Sequence, residues 1–478
     1  MSLIKNYFYN TLLLVTNVLY PLITFPYIAR VIGPEGTGKL AFIMSIVQYF
    51  VIVAALGIPA YGVREIARLR DNKEKRDKLF NELVTINIIN SVVLSFFYLL
   101  LLFLVPKLEV DFKYFLISIL FVLFSFTNVD WFFTGIEEFR LITIRNVIVK
   151  LLSIVLLFIF VNSKADFGIY FGLTFLGLFI NNFINFYYLK DKIKFSFTIN
   201  YSLHSKPLLL LFATIFATSI YVLMDTIILG FLTNSLYVGY YNASMRLYKA
   251  ALPIVTSLGV VMLPRMSIAL EKNDMPEYNK LIEKSISFHF FVSLPISLFI
   301  GLFSSELIML FAGKQFIASI PTTQILAPLI IIVGLSNILI LQILNTMRME
   351  KYMLFSVLIG SITSLVFNFI LIPFLYQNGA AWATFITEVV VCLMLGYYVF
   401  FKTSIRICLT AFWQGSISLI PFIFFYFLFH DFFLNMFLRL GIISILGMTF
   451  YILILHKLFK NEFIIAMYNL YLFKFRLR

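Results

Sequence analysis

Residues 7–62 read YFYNTLLLVTNVLYPLITFPYIARVIGPEGTGKLAFIMSIVQYFVIVAALGIPAYG. Two long apolar runs flank a short polar knot at 30–39. Each run is long enough to cross a bilayer as a helix, which needs about 20 apolar residues. Pro21 and Pro26, with Asn6, Asn10 and Asn17, predict a bent first helix with a polar face. Its apolar stretch, 7–29, is too long for the core of a removable signal, and no small-x-small cleavage site follows, so it is expected to stay as a span.

The rest of the chain repeats this pattern. Of 478 residues, 61% are apolar or aromatic and 13% are charged, and the mean hydropathy is +0.97. The charged share is about half the usual 25% or so of a soluble chain, and so apolar an exterior cannot face water. Apolar runs predict fourteen spans near 7–30, 40–62, 82–105, 113–134, 146–162, 167–189, 208–231, 238–262, 285–304, 322–346, 354–375, 380–401, 412–430 and 435–456. Runs of this length exclude a membrane β-barrel, whose strands alternate over about ten residues. The expected fold class is therefore an all-α membrane protein.

The formal charge of +14 could point to nucleic acid. Its distribution explains it differently. With the N-terminus inside, 28 Lys and Arg fall on inside segments, 7 on outside segments and 2, Arg246 and Lys249, within a span. Cytoplasmic loops collect Lys and Arg, so an even number of helices with both termini in the cytoplasm is expected, and no nucleic acid is needed. The outside loops are short, which leaves no room there for a soluble catalytic domain. Cys392 and Cys408 suggest neither disulfide nor metal, and His204, His289, His430 and His456 show no ligand spacing and no evident partner. No cofactor is expected.

The chain also repeats internally. Gly38, Gly57 and Arg64 recur as Gly239, Gly259 and Arg265, an offset of 201 residues at the first and last of these. Two six-helix lobes of like orientation are expected, at 1–195 and 206–403, with two extra helices and a basic tail at 404–478. The polar segment 190–207 separates the lobes.

Gly33-Pro34-Glu35-Gly36-Thr37-Gly38-Lys39-Leu40 approaches the phosphate-loop pattern but fails it. Leu40 replaces the metal-binding hydroxyl and no strand precedes the glycines. A helix–helix turn is expected instead. Arg246 and Lys249 share one helix face, about 12 and 16 Å below the outer end of their span, and Asp225 lies about 9 Å down the preceding one. Charges at such depth usually face a bundle interior or a water-filled cavity; a structural ion pair or outward snorkelling is the plainer alternative. Glu388, about 12 Å from an outer end, is a candidate for proton or cation coupling. Arg30 and Arg64 end spans one and two, and Asp130 sits near the inner end of span four; each is a candidate site residue or an interface anchor.

Several stretches together resemble the polysaccharide transporters, the Wzx-type O-antigen and capsule flippases. Their superfamily also holds lipid II flippases and multidrug and toxin extruders. The stretches are Arg30-Val31-Ile32-Gly33-Pro34-Glu35-Gly36-Thr37-Gly38, Gly57-Ile58-Pro59-Ala60-Tyr61-Gly62-Val63-Arg64-Glu65-Ile66-Ala67-Arg68, Asp130-Trp131-Phe132-Phe133-Thr134-Gly135-Ile136-Glu137, Asp225 with Gly239-Tyr240-Tyr241-Asn242-Ala243, and the region from Asn368 to Thr384. The likeness covers about 1–403. It implies a twelve-helix core of two lobes and transfer of an undecaprenyl-pyrophosphate-linked oligosaccharide from the inner to the outer leaflet by alternating access. It also implies a cationic cavity, for which Arg246, Lys249, Arg30 and Arg64 are the candidates here. Asp225, Glu388 and Asp130 would serve ion coupling or charge balance. The expected partners are the lipid-linked substrate, the bilayer, a coupling proton or sodium, a polysaccharide polymerase and a chain-length regulator. The rivals are a cation-coupled drug antiporter, which would favour an acidic cavity, and a membrane polymerase or acyltransferase, which the short outside loops and unpartnered histidines oppose.

Overall fold

The computed structural model describes residues 3–190, 192–198, 200–403, 405–406, 409–429, 435–461 and 465. Cys408, His430 and the basic tail lie outside the described residues. The described residues are mostly helical, with no strand among them. This follows from the solvent. Hydrocarbon offers no partner to a peptide N–H or C=O, and a helix satisfies both within itself.

Ten described helices are long and apolar enough to cross, and twelve spans result if each of two bent pairs counts as one. Two of the ten, α1 (Leu3–Ala55) and α14 (Glu350–Lys402), have 53 residues each, about 80 Å at the usual rise. That is far more than one crossing needs. Each is broken, α1 at Gly33 (φ 78°, ψ 179°) and α14 at Tyr376 (φ 51°, ψ −125°). Fourteen spans are compatible with these breaks. The break in α1 falls at Gly33 rather than at Pro21 or Pro26, which remain inside the helix.

The chain separates by its contacts into Met1–Asn242 and Ala243–Arg478. The first unit holds both halves of α1, then α2 (Ile58–Arg68), α3 (Lys73–Leu104), α4 (Phe112–Leu123), α5 (Asp130–Gly135), α6 (Phe139–Phe160), α7 (Phe167–Leu189), α8 (Tyr201–Leu232) and the start of α9 (Ser235–Glu271). Segment 192–198 has no regular structure. It is docked nonetheless, since Asn81 donates to Lys194 O at 2.9 Å and Phe195 stacks on Phe186 at 5.4 Å.

Two glycine contacts define this unit. A Cβ at Gly38 would lie 1.8 Å from Ser235 O, and one at Gly239 would lie 1.9 Å from Pro34 O. The pair that the internal repeat matches is thus a backbone-to-backbone contact between α1 and α9. At the other, α2 and α5 exchange bulk for space: Trp131 lies against Gly62, and Ile66 lies against Gly135. Phe80 of α3 stacks on Trp131 at 5.4 Å, completing a buried aromatic core with Phe132 and Phe133.

The second unit holds the rest of α9, then α10 (Met275–Leu302), α11 (Ser304–Phe311), α12 (Ile320–Leu326), α13 (Leu329–Asn337), α14, α15 (Thr410–Ser418), α16 (Ile420–Phe429) and α17 (Met436–Lys457). A π segment, Ile338–Leu344, follows α13; such wide turns are uncommon and expose carbonyls to other donors. Tyr278 uses this, donating to Gln342 O at 2.8 Å. The C-terminal helices pack on α10, where Tyr451 donates to Phe291 O at 3.1 Å and Leu294 fills the space above Gly415.

Gly38→Ala should destabilise the protein, because the clashing atoms are backbone and cannot rotate away. A loss of about 3 kcal/mol is expected, read as a lower thermal midpoint in detergent, whereas Gly172→Ala, which meets nothing within 4 Å, should leave the midpoint in place.

Candidate functional site

The first charged cluster forms where α5, α6 and α7 meet. Asp130 opens α5 just after a non-helical turn, so its carboxylate projects toward α6 and α7. Its Oδ1 accepts from Arg145 Nη2 at 2.8 Å and from Asn185 Nδ2 at 2.9 Å. Arg145 Nε donates to Asn181 Oδ1 at 2.8 Å. The Arg145 side chain is 2% exposed and that of Asp130 36%. A guanidinium so deep needs its carboxylate, because an uncompensated buried charge is far costlier than the pair. Asp130 was expected as a site residue; Arg145, Asn181 and Asn185 were not. Arg145 and Lys150, expected among the inside charges, both lie within α6, and Lys150 donates to Asn17 of α1.

The second cluster overturns the reading of the histidines. His204 of α8 is buried with Nε2 2.9 Å from Glu82 Oε2 of α3 and Nδ1 3.0 Å from the Tyr61 hydroxyl of α2. Its partners lie 122 and 143 residues away in sequence, so no local spacing could reveal them. His289 is also partnered, with Nε2 3.0 Å from Ile331 O. The argument from unpartnered histidines against an acyltransferase therefore falls; the one from short loops is independent of it.

The remaining candidates are dispersed. Asp225 is buried in α8 and accepts from the Tyr241 hydroxyl of α9 at 2.9 Å. Arg30 is exposed at the end of the first half of α1, and its Nη1 turns back to Pro26 O at 2.7 Å. Arg64 is exposed on α2, with Nε 3.0 Å from Glu65 Oε1 and its guanidinium 5.5 Å from the Tyr61 ring centre. Arg64 and the histidine cluster thus meet at one tyrosine. In the second unit, Arg246 is half-buried and Lys249 exposed on α9. Glu388 of α14 is buried and acts electrostatically on Tyr248, a buried residue of α9 next to Lys249 in sequence. A further buried acid, Glu306 of α11, accepts from Arg439 of α17 at 3.0 Å.

These groups are ion pairs and hydrogen-bonded networks linking neighbouring helices. Among the described residues no three His, Cys, Asp or Glu side chains gather to hold a metal. Among the cationic candidates, Arg30, Arg64 and Lys249 are exposed and Arg246 is half-buried; guanidinium and ammonium donors make short, strong bonds to phosphate oxygens.

Asp130→Ala should cost about 3 kcal/mol, the low end for breaking a buried pair because Asp130 is itself partly wet. Asp130→Leu combined with Arg145→Met should recover at least half of that loss. Thermal unfolding of the three proteins checks this; losses that simply add would show that the two residues do not act as a pair.

Comparison with known proteins extends over most of the chain. Residues 3–270 match the family described as "Polysaccharide biosynthesis protein". An Escherichia coli (strain K12) protein named "Putative O-antigen transporter" is 27% identical over 415 residues, covering 84% of this chain and 97% of its own. A Shigella dysenteriae protein of the same name is 25% identical over 388 residues, covering 79% and 95%. Among solved structures, the lipid II flippase MurJ in an inward closed conformation superposes with a TM-score of 0.78 at 16% identity, covering 96% of this chain and 99% of MurJ. An inward-facing multidrug resistance MATE family transporter of the MOP superfamily gives 0.64 at 15% identity, covering 80% and 94%. The two structures share the fold. The family match spans more than half of the chain, and the chain belongs to the polysaccharide biosynthesis protein family.

Proposed function

We propose that this protein is a flippase for lipid-linked oligosaccharides. The substrate is an undecaprenyl-pyrophosphate-linked repeat unit of O-antigen or capsule type, carried from the cytoplasmic to the outer leaflet of the inner membrane by alternating access. The observation that carries this reading is the likeness to the Escherichia coli relative, which takes in 84% of this chain and nearly all of that one. The MurJ-like fold supports it, since that protein is named a lipid II flippase. The physics is consistent. A large sugar head on a diphosphate cannot enter hydrocarbon unaided, and it needs cations to replace lost water.

Arg246 and Lys249 would take the diphosphate, with Arg30 and Arg64 serving at the ends of their spans. Asp225, Glu388 and Asp130 are the acids proposed for ion coupling or charge balance. Of these, Asp130 balances Arg145, and Glu388 and Asp225 are the acids proposed to respond to a proton or sodium gradient. A polymerase and a chain-length regulator would act on the delivered unit.

The test is transfer of a fluorescent undecaprenyl-diphosphate oligosaccharide across proteoliposomes holding the purified protein. Transfer above empty vesicles is expected. The Arg246→Ala, Lys249→Ala double variant should fall about 100-fold, from about tenfold per lost charge-assisted bond. Normal transfer by that variant would remove the two cations from the site. Transfer of small organic cations with none of the lipid would replace the flippase with an antiporter.

A further inference from the structure

On the first unit, at the end that the charge distribution puts inside, a cavity of about 620 Å³ opens beside α6 and α7. Its walls differ in chemistry from one end to the other. Arg70, Arg140, Glu137 and Glu138 line it near the start of α6, while Ile144, Ile148 and Ile184 line it farther along the helices. Arg140 and Ile148 are eight residues apart on one helix, so the change from cation to hydrocarbon occurs over about 12 Å along the axis. A second hollow of about 430 Å³ shares Arg70, Ile136 and Glu138 and adds Lys73, Arg76 and Lys192. Together the two are lined by six cations against three carboxylates.

The donors here are incompletely used. Arg145 lies in the cavity wall with Nε on Asn181 and Nη2 on Asp130, and its Nη1 is buried with no hydrogen-bond partner among the described residues. A buried donor left without an acceptor is costly, and in a native structure it points to a water, ion or ligand atom that belongs beside it. Arg140 is exposed and makes no ion pair among the described residues. The Arg70–Glu137 pair, at 2.9 Å, is about half exposed on both sides. Such a pair contributes little in water and can give way to a more highly charged anion.

A soluble anion has no use for the isoleucine wall. A lipid chain has no use for the arginines. One class of molecule needs both, and basic pockets between membrane helices on the cytoplasmic side are known places for anionic headgroups. We propose that this cavity binds the phosphate-bearing headgroup of a lipid in the adjoining leaflet, with the phosphate at Arg70 and Arg140 over the Arg145 floor and the hydrocarbon chain along Ile144 and Ile148. The site is lined by residues of the first unit alone and stands whether or not the chain is a flippase.

Native mass spectrometry of the full chain in detergent tests it, with four probes: phosphatidylglycerol, undecaprenyl diphosphate, phosphatidylcholine and inorganic pyrophosphate. One of the first two should be retained well above phosphatidylcholine, and which one names the lipid. Arg70→Ala with Arg140→Ala should weaken that binding about 30-fold, from about fivefold per surface cation. Ile148→Trp, which keeps the charges and fills the apolar wall, should weaken it as well. All variants are compared at matched thermal midpoints. Pyrophosphate bound as tightly as either lipid would overturn the proposal in favour of a free-anion site. Equal retention of phosphatidylcholine, or lipid binding indifferent to both sets of substitutions, would overturn it altogether.

Discussion

In hydrocarbon a peptide group that leaves its helix finds no water to replace the lost bond, so every interruption of a span must be resolved within the protein. The break in α1 shows how few residues can do this. Gly33 takes a φ of 78°, open to glycine at little cost. Pro34 follows and has no N–H to leave orphaned. The hydroxyl of Thr37 returns to the Gly33 and Pro34 carbonyls at 2.9 and 3.1 Å. Beyond the turn, Gly38 and Gly239 let two backbones touch. What looked in the sequence like a failed phosphate loop is a corner between two spans, built from glycine for reasons of backbone geometry.

The same solvent disciplines charge. Each buried ionic cluster joins separate helices: Arg145 with Asp130 and Asn181 on consecutive ones, Glu82 with His204 and Glu306 with Arg439 on helices far apart in the chain. Pairing of this kind contributes little net stability, because desolvation offsets most of the attraction. Its effect is on register. A helix that slid by one residue would leave an ion alone in hydrocarbon, so each pair penalises the wrong docking more than it rewards the right one. In the first unit, Tyr61 and His204 tie α2 to α8, and Arg145 and Asp130 tie α6 to α5, close to where α2 already packs through Gly62 and Gly135.

The parts legible in the sequence are those with a local signature. Apolar runs place the spans, since hydrophobic length is set by the bilayer alone. Gly33-Pro34 marks the corner, and the recurrence of Gly38 as Gly239 marks two positions where only a glycine fits. Illegible were contacts whose partners share no local spacing. Arg145 read as a loop charge because the apolar window begins just after it, although α6 starts at Phe139; its carboxylate sits on a separate short helix. His204 looked solitary because Glu82 lies 122 residues earlier. Hydropathy reports what an isolated segment tolerates, and a buried ion is tolerated only through a segment elsewhere.

This distinction bears on which cations can meet a ligand. A guanidinium carries five N–H donors, and burial, more than charge, decides how many a ligand can reach. Arg64 has committed Nε to Glu65 yet remains 61% exposed, and Arg30 turns one nitrogen to a carbonyl while staying at the surface. Arg64 keeps donors that an incoming phosphate could use without dismantling a helix contact. Arg145 is the opposite case: two of its nitrogens hold α5 and α7 against α6, and moving it to follow a substrate would break both. On the function proposed above, a charge that must release its ligand at the end of each cycle cannot also be a strut, and Arg145, which holds α5 and α7 against α6, is ruled out of that role.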